Sequence, residues 1–252
     1  MLQVTPWSGW RGSVNGGRIM VATVQRASKN GQPKVLIVDD HPVVREGIAQ
    51  IIRQAGDLEV CGEADCPEKA LQVVSASKPD VAVVDLALAA GSGLGLIRDL
   101  KEWHPRLPVL VLSMHDESLY AERVLRAGAS GYIMKHEVTE HFVQAIRKVL
   151  RGGIYLSEGM AARMLQRLAG KEPTAAASAM ESLSDRELEV FQLVAQGLST
   201  RKVAERLYLS VKTVETHLDH VKAKLGLESS RELFRYAIVW SLEGRQAASG
   251  DS

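Results

Sequence analysis

Two adjacent carboxylates follow an apolar segment in the stretch KVLIVDDHPVV, residues 34–44. The four residues before them, Val35 to Val38, form a continuous apolar run, which is typical of a strand buried on both faces in a parallel sheet. Asp39 and Asp40 repel each other and lose solvation when they are buried, so the pair indicates a bound cation. A solvated turn that leads into Pro42 explains the same pair equally well at this point.

The region from Lys34 onward alternates between strand-like and helix-like segments. The strand-like segments are KVLIV, LEVCGEA, VAVVDLAL, LPVLVLSM and SGYIMK, and a helix-like segment follows each one. This alternation predicts a doubly wound α/β fold with a five-stranded parallel sheet. Right-handed crossovers place the carboxyl ends of all the strands at one edge of such a sheet. The residues collected at that edge are Asp39, Asp40, Asp85, Ser113 and Lys135.

Three carboxylates, a hydroxyl and an ammonium group at one edge favour a phosphorylation site. Asp39, Asp40 and Asp85 offer the oxygen ligands that Mg²⁺ prefers. The Asp85 carboxylate can attack a phosphorus atom in line, while Lys135 and Ser113 bind the phosphoryl oxygens. The sequence therefore predicts Mg²⁺-dependent phosphorylation of Asp85.

Other motifs in this half of the chain are weaker. The segment GSGLG, residues 91–95, resembles a dinucleotide-binding loop, but Leu96 stands where that motif needs its last glycine. An acyl-transfer elbow is also disfavoured, because Ala90 replaces its first glycine. The seven histidines include no HExxH pattern. His41 and His115 fall at the predicted edge, where they either tune the site or are ordinary loop residues.

Composition limits the class of protein. The chain has 252 residues, a formal net charge of +1 and 46% apolar residues, which is enough for one or two domains with real cores. Two cysteines give no disulfide framework, and no apolar stretch reaches the roughly 18 residues of a membrane span. We predict a cytoplasmic protein without a membrane segment. Residues 1–33 carry four basic and no acidic residues and are predicted to be a disordered extension, with Met20 as an alternative translation start.

The remaining chain is predicted to be a linker and a small helical domain. Residues 34–151 form the first domain, and residues 152–181 form a linker with one short helix, MAARMLQRLAG. Residues 182–241 form the second domain, and 242–252 a disordered tail. Ser184 and Glu187 make a capping box for the helix DRELEVFQLVAQ. Ser199 and Ser210 open the next two helices.

The third helix of the second domain, VKTVETHLDHVKAKL, is amphipathic. Its predicted buried stripe consists of Val211, Val214, Leu218, Val221 and Leu225. The opposite face carries Lys212, Glu215, Thr216, Asp219, Lys222 and Ala223. A DNA-binding domain that inserts a helix into the major groove needs a short helix followed by a helix with a polar, partly basic face, and this segment has both. An antiparallel helical bundle has the same periodicity, so the pattern alone does not decide between a DNA-binding domain and a helical bundle.

Four motifs of the first domain resemble the receiver domain of two-component response regulators: VDDHPVVREG, VAVVDLAL, LSMHDE and GYIMK. The resemblance implies that Asp85 is the phosphoacceptor, that the carbonyl of Ala87 is a metal ligand, and that Ser113 and Tyr132 are the switch pair. After the acceptor this family usually has Met and then Pro, where this chain has Leu88 and Ala89.

The segment from Leu183 to Leu227 resembles the LuxR-type helix-turn-helix of the NarL/FixJ response regulators, and the similarity extends to about Trp240. It implies that Val211 to Leu225 is the recognition helix and that the last helix, residues 231–240, contributes to dimerisation. The residues expected to contact DNA are Lys202, Lys212, Thr213, Glu215, Thr216, Asp219 and Lys222. Glu215 and Asp219 repel phosphates, although an acidic side chain can accept a hydrogen bond from cytosine.

Together these features predict a transcription regulator rather than an enzyme. A sensor histidine kinase would phosphorylate Asp85, and a homodimer would then bind promoter DNA. Two alternatives remain at this stage. One is a metal-dependent phosphohydrolase with the second domain as a helical cap, and the other is a DNA-binding protein that works without phosphorylation.

Overall fold

The computed structural model describes residues 31–89, 91–170 and 179–249. Most of the predicted N-terminal extension, including Met20, lies outside the described residues. None of the described helices combines the length and hydropathy that a bilayer span requires.

A five-stranded parallel sheet, in the order β2-β1-β3-β4-β5, forms the centre of the first domain. The strands are β1 (Lys34–Val38), β2 (Glu59–Ala64), β3 (Val81–Asp85), β4 (Val109–Ser113) and β5 (Gly131–Met134). The helices that alternate with them are α1 (Pro42–Ala55), α2 (Pro67–Ser77), α3 (Gly93–Trp103), α4 (Glu117–Arg126) and α5 (Val138–Leu150). A short 3₁₀ helix, Lys135–Glu137, joins β5 to α5. The predicted doubly wound fold is confirmed.

Both faces of the sheet are covered, which explains the continuous apolar run in β1. Val35 and Ile37 pack into the core on the side of α1 and α5. Leu36 and Val38 point to the opposite side, where α2, α3 and α4 pack. Because successive residues of a strand face opposite ways, a strand buried on both sides has no polar positions.

The GSGLG motif serves packing at the end of β3. Ser92 caps α3 by accepting a hydrogen bond from the Gly95 amide at 3.3 Å. A Cβ atom on Gly93 would lie 2.2 Å from the carbonyl oxygen of Asp85, which is closer than side chains tolerate. The glycine therefore allows α3 to begin directly against the strand that carries Asp85.

The second domain consists of short helices. Its elements are α7 (Asp185–Ala195), α8 (Thr200–Arg206), α9 (Val211–Leu225) and α10 (Ser230–Ser249), and α6 (Glu158–Leu168) lies before it. The capping box of Ser184 and Glu187 is present, and the Ser199 and Ser210 side chains cap α8 and α9. These three predictions are confirmed.

Two details of the helical domain differ from the sequence prediction. Helix α10 continues to Ser249, well into the tail that was expected to be disordered, because the segment LEGRQAAS is rich in helix-favouring residues. The apolar stripe of α9 is shorter than predicted. Val214 and Val221 are buried and Leu218 is half-buried, but Val211 is 42% exposed because it lies in the first turn, beyond the core.

Candidate functional site

The carboxyl edge of the sheet brings together acidic side chains from β1 and β3 and a lysine that follows β5. The Lys135 Nζ atom lies 2.7 Å from Asp39 Oδ2 and 2.7 Å from Asp85 Oδ2. Asp39 is 1% exposed and Asp85 is 2% exposed. Since a buried carboxylate is costly without a partner, the shared ammonium group stabilises both of them.

The protonation of the buried pair follows from this arrangement. Burial raises the pKa of Asp85, and the nearby Asp39 adds to this, while Lys135 opposes the shift through its charge and hydrogen bond. Burial alone would lower the pKa of Lys135, but the two carboxylates raise it above its ordinary value. Lys135 therefore stays protonated at neutral pH and favours the ionised form of Asp85.

Asp40 has a different environment. Its Oδ2 atom accepts a hydrogen bond from the Ala89 amide at 3.1 Å. A proline at position 89, which receiver domains usually have, would lack that N–H group. Its Oδ1 atom is buried without a hydrogen-bond partner among the described residues, and no described lysine or arginine forms an ion pair with Asp40.

The acidic cluster has the donor set of a divalent cation site. One ligand atom from each of Asp39, Asp40, His41 and Asp85 lies within 4.8 Å of the others. The amide of Ala87 donates a hydrogen bond to Asp85 Oδ1 at 3.2 Å, so this loop is adjacent to the Asp85 carboxylate. The buried Oδ1 atom of Asp40, which accepts no hydrogen bond from the described residues, fits a site that takes a hard cation.

The other predicted residues of the edge lie beside the carboxylates. Ser113 is buried, and its Oγ atom accepts a hydrogen bond from the His115 amide at 3.1 Å. Tyr132 is fully buried, and its hydroxyl donates to the His115 carbonyl at 2.6 Å. Both members of the predicted switch pair thus contact the same residue, His115.

The first domain also contacts the second through α4 and α7. Arg123 of α4 lies 3.1 Å from Asp185 at the start of α7, and Arg98 of α3 lies 2.7 Å from the same carboxylate. Arg123 donates further hydrogen bonds to the carbonyls of Met180 and Glu181. The Tyr120 hydroxyl donates to Gln192 Oε1 at 2.9 Å in a buried position.

We call the contacts of Tyr120 with Gln192 and of Arg123 with Asp185 the domain interface. It is connected to the acidic edge, because the His115 ring stacks on the Tyr120 ring with centroids 4.9 Å apart. Sequence patterns gave no signal for these contacts, since each joins residues more than 60 positions apart. Burial lowers the pKa of His115, so its ring is neutral in this stack at neutral pH.

The outer face of α9 lies away from the domain interface. We define this face by Lys212, Glu215, Thr216 and Asp219, all of which are exposed. Lys222, expected on the same face, is only partly exposed and pairs with Asp219 at 2.9 Å. Lys202 on α8 is exposed, and Thr213 lies in the first turn of α9, where its amide donates to Ser210 Oγ.

An ion pair between the buried Glu187 and the more exposed Lys224 fixes α9 against α7. Glu187 is 4% exposed and accepts hydrogen bonds from Lys224 Nζ at 2.6 Å and from the Ser184 amide at 2.7 Å. Lys224 also donates to the Ser182 carbonyl at 3.1 Å. Burial alone would raise the pKa of Glu187, but the bonds from Lys224 and Ser184 lower it to about 2. The sequence predicted only the capping role of Glu187.

Comparison with known proteins agrees with both halves of this description. Residues 35–147 match the model of the response regulator receiver domain, and residues 181–237 match that of the bacterial regulatory proteins of the luxR family. The oxygen regulatory protein NreC of Staphylococcus carnosus is 38% identical over 209 residues, which cover 81% of this chain and 96% of NreC. The chain belongs to the NarL/FixJ family of response regulators.

Solved structures of other response regulators have the same architecture. RcsB from Salmonella enterica serovar Typhimurium, bound to promoter P1flhDC in the presence of the phosphomimetic BeF₃⁻, is 25% identical with a TM-score of 0.60, and the match covers 83% of this chain and all of RcsB. A LuxR-family response regulator from Aurantimonas sp. SI85-9A1 is 31% identical with a TM-score of 0.52, covering 55% of this chain and 99% of that one. This response regulator therefore controls transcription under the influence of phosphorylation.

The Glu187–Lys224 pair generates a prediction for stability against pH. The folded pKa of Glu187, about 2, lies below its ordinary value of 4.5. The contribution of Glu187 to the free energy of unfolding is thus fully present above pH 4.5. It is lost as the pH falls from about 4.5 to about 2, and the shift in pKa corresponds to about 3 kcal/mol of that free energy. Denaturant unfolding of wild type and Glu187→Gln, followed by tryptophan fluorescence, should show a difference in stability at pH 7 that shrinks towards pH 3.

The matched control for this experiment is Glu205→Gln, since Glu205 is an exposed residue of α8 with only a surface pair to Arg201. Its stability should stay within about 0.5 kcal/mol of wild type, as is usual for surface changes. A Glu187→Gln difference that does not depend on pH would show that the carboxylate charge contributes nothing.

Proposed function

We propose that a sensor histidine kinase phosphorylates Asp85, with Mg²⁺ held by Asp39, Asp40, Asp85 and the carbonyl of Ala87. The observation that carries this proposal is the position of Lys135 Nζ, 2.7 Å from Asp85 and Asp39 at once. The ammonium group favours the ionised form of the Asp85 carboxylate and can bind a phosphoryl oxygen. Bound Mg²⁺ would supply further positive charge to offset that of the phosphoryl group.

The reaction needs few protein groups. An Asp85 carboxylate oxygen attacks the phosphorus atom, an O–P bond forms, and the P–N bond of a phosphohistidine donor breaks with its electron pair going to the imidazole nitrogen. Ser113 is buried beside the site, and its hydroxyl group can donate to a phosphoryl oxygen while its oxygen accepts the His115 amide.

The output is binding of promoter DNA by two copies of α9. The exposed outer face of α9 supports this role, as does the ion pair that holds the helix by its far end against α7. One solved structure contains RcsB dimers bound to DNA. In this chain the exposed apolar side chains of α10, Phe234, Ile238 and Val239, offer a surface on which two copies would pair.

Control by phosphorylation would act through the domain interface. That interface involves α7 and leaves the outer face of α9 uncovered. Formation of the domain interface therefore does not hide α9, the proposed recognition helix, but it fixes the position of that helix relative to the receiver domain. Two copies of α9 must sit roughly 34–36 Å apart on adjacent half-sites, so release of the interface favours paired binding.

We expect Asp85→Asn to abolish phosphorylation and to leave the fold intact, because the amide keeps the volume of the carboxylate but is not a nucleophile. Wild type and variant would be incubated with Mg²⁺ and acetyl phosphate, and intact-protein mass spectrometry would detect one added phosphoryl group. Asp99→Asn, the same change on the exposed side of α3, is the control and should gain the group normally. Incorporation into Asp85→Asn at the wild-type level would refute the acceptor assignment.

The outer face of α9 can be tested through the salt dependence of DNA binding. Lys212→Ala should weaken binding to every sequence and reduce the slope of log K against log salt by about one, because one phosphate contact fewer releases fewer counterions. Binding would be measured by fluorescence anisotropy on duplexes selected from a random pool. Lys69→Ala on α2 of the receiver should change neither quantity, and an unchanged slope for Lys212→Ala would remove this residue from the DNA contacts.

The domain interface predicts different outcomes for single and paired half-sites. Arg123→Ala breaks the contact with Asp185, so unphosphorylated protein should bind a duplex with two half-sites roughly three- to tenfold more tightly. Binding to one half-site should change less than twofold, since the outer face of α9 is already exposed. Arg126→Ala, on the same helix but paired only with Glu122, is the control. A large gain on the single half-site would mean that docking hides the recognition helix.

A further inference from the structure

His41 lies at the acidic edge, and its ring faces the carboxylates. The Nδ1 atom is 2.7 Å from Asp40 Oδ1 and 3.3 Å from Asp39 Oδ1. The side chain is 60% exposed, so the ring reaches the cluster from the solvent side. Its nitrogen is one of the four ligand atoms that lie within 4.8 Å of one another.

The backbone holds His41 in this position. Its amide donates a hydrogen bond to Asp39 Oδ1 at 2.8 Å, and Pro42 fixes the first turn of α1 directly after it. The residue is the N-cap of α1, yet its side chain makes no capping hydrogen bond. The ring is therefore not used by the helix and is turned towards the acids.

The His41 Nδ1 atom contacts both neighbouring acids: it shares a hydrogen bond with Asp39 Oδ1 at 3.3 Å and lies at ion-pair distance, 2.7 Å, from Asp40 Oδ1. Asp40 Oδ1 is buried and has no hydrogen-bond partner among the described residues, although the ring nitrogen is 2.7 Å away. The single charge of Lys135 is shared between Asp39 and Asp85. When the ring carries its proton on Nε2, the lone pair of Nδ1 faces the oxygens of Asp39 and Asp40. A cation is the partner that this nitrogen and both carboxylates can accept together.

We propose that His41 is a direct ligand of the divalent cation at this site and gives it a preference for first-row transition ions such as Mn²⁺ over Mg²⁺. This inference rests on the proposed metal site of Asp39, Asp40 and Asp85. Mg²⁺ favours oxygen ligands, whereas imidazole nitrogen is a good ligand for Mn²⁺, Zn²⁺ and the ions between them. One nitrogen added to a set of carboxylates therefore strengthens Mn²⁺ binding much more than Mg²⁺ binding.

Pulsed EPR on the full chain loaded with Mn²⁺ tests the proposal directly. Wild type should show electron spin-echo modulation from one directly bound ¹⁴N nucleus, and His41→Ala should lose it. His104→Ala is the matched control, because His104 ends α3 and is not part of the ligand cluster. Modulation that persists in His41→Ala, or that is absent from Mn²⁺-loaded wild type, would overturn the role of His41 while leaving the metal site itself in place.

Calorimetric titration of the same proteins with Mn²⁺ and Mg²⁺ measures the selectivity. His41→Ala should weaken Mn²⁺ binding by about tenfold or more and Mg²⁺ binding by less than about threefold. Equal losses for both ions would show that the ring acts on the carboxylates and not on the cation. If neither ion binds wild type, or if Asp40→Ala binds both as wild type does, the proposed metal site fails together with this inference.

Discussion

The ammonium group of Lys135 between two buried carboxylates is the interaction on which the proposed phosphorylation site depends. Asp39 follows β1 and Asp85 ends β3, which are neighbours in the sheet, whereas Lys135 follows β5 at its edge. Only a parallel sheet with crossovers of one hand brings these three positions to the same edge. Without the lysine, two carboxylates with at most 2% exposure would be unpaired, at a cost of several kcal/mol each.

Local signals predicted the fold and the acidic edge because both are encoded in short stretches. A continuous apolar run, a strand end with two carboxylates and an N-cap serine each depend on neighbours within a few residues. The domain interface depends on distant ones: Arg123 meets Asp185 and Tyr120 meets Gln192 only after both domains have folded. Nothing near Arg123 in the sequence distinguishes it from Arg126 on the same helix, which stays at the surface.

A continuous set of contacts joins the acidic edge to the helical domain. Ser113 and Tyr132 both bond to the backbone of His115, its ring stacks on Tyr120, and Tyr120 bonds to Gln192. Contact alone does not establish coupling, since coupling requires an element with two arrangements that both sites influence. The segment that holds His115 is the candidate element in the proposed function, because the Ser113 hydroxyl that would donate to a phosphoryl group on Asp85 also accepts the His115 amide.

The charges at the edge favour binding a cation and a phosphoryl group together, as the proposed function requires. When Asp39, Asp40 and Asp85 are ionised, the ammonium group of Lys135 leaves an excess of two negative charges, which matches one divalent ion. Lys135 lies on Asp39 and Asp85, so the unmatched charge is concentrated at Asp40. The Ala89 amide, present because this chain has no proline at that position, orients Asp40 but adds no full charge. A phosphoryl group brings its own negative charge, so the cation that balances Asp40 is needed most when Asp85 is modified.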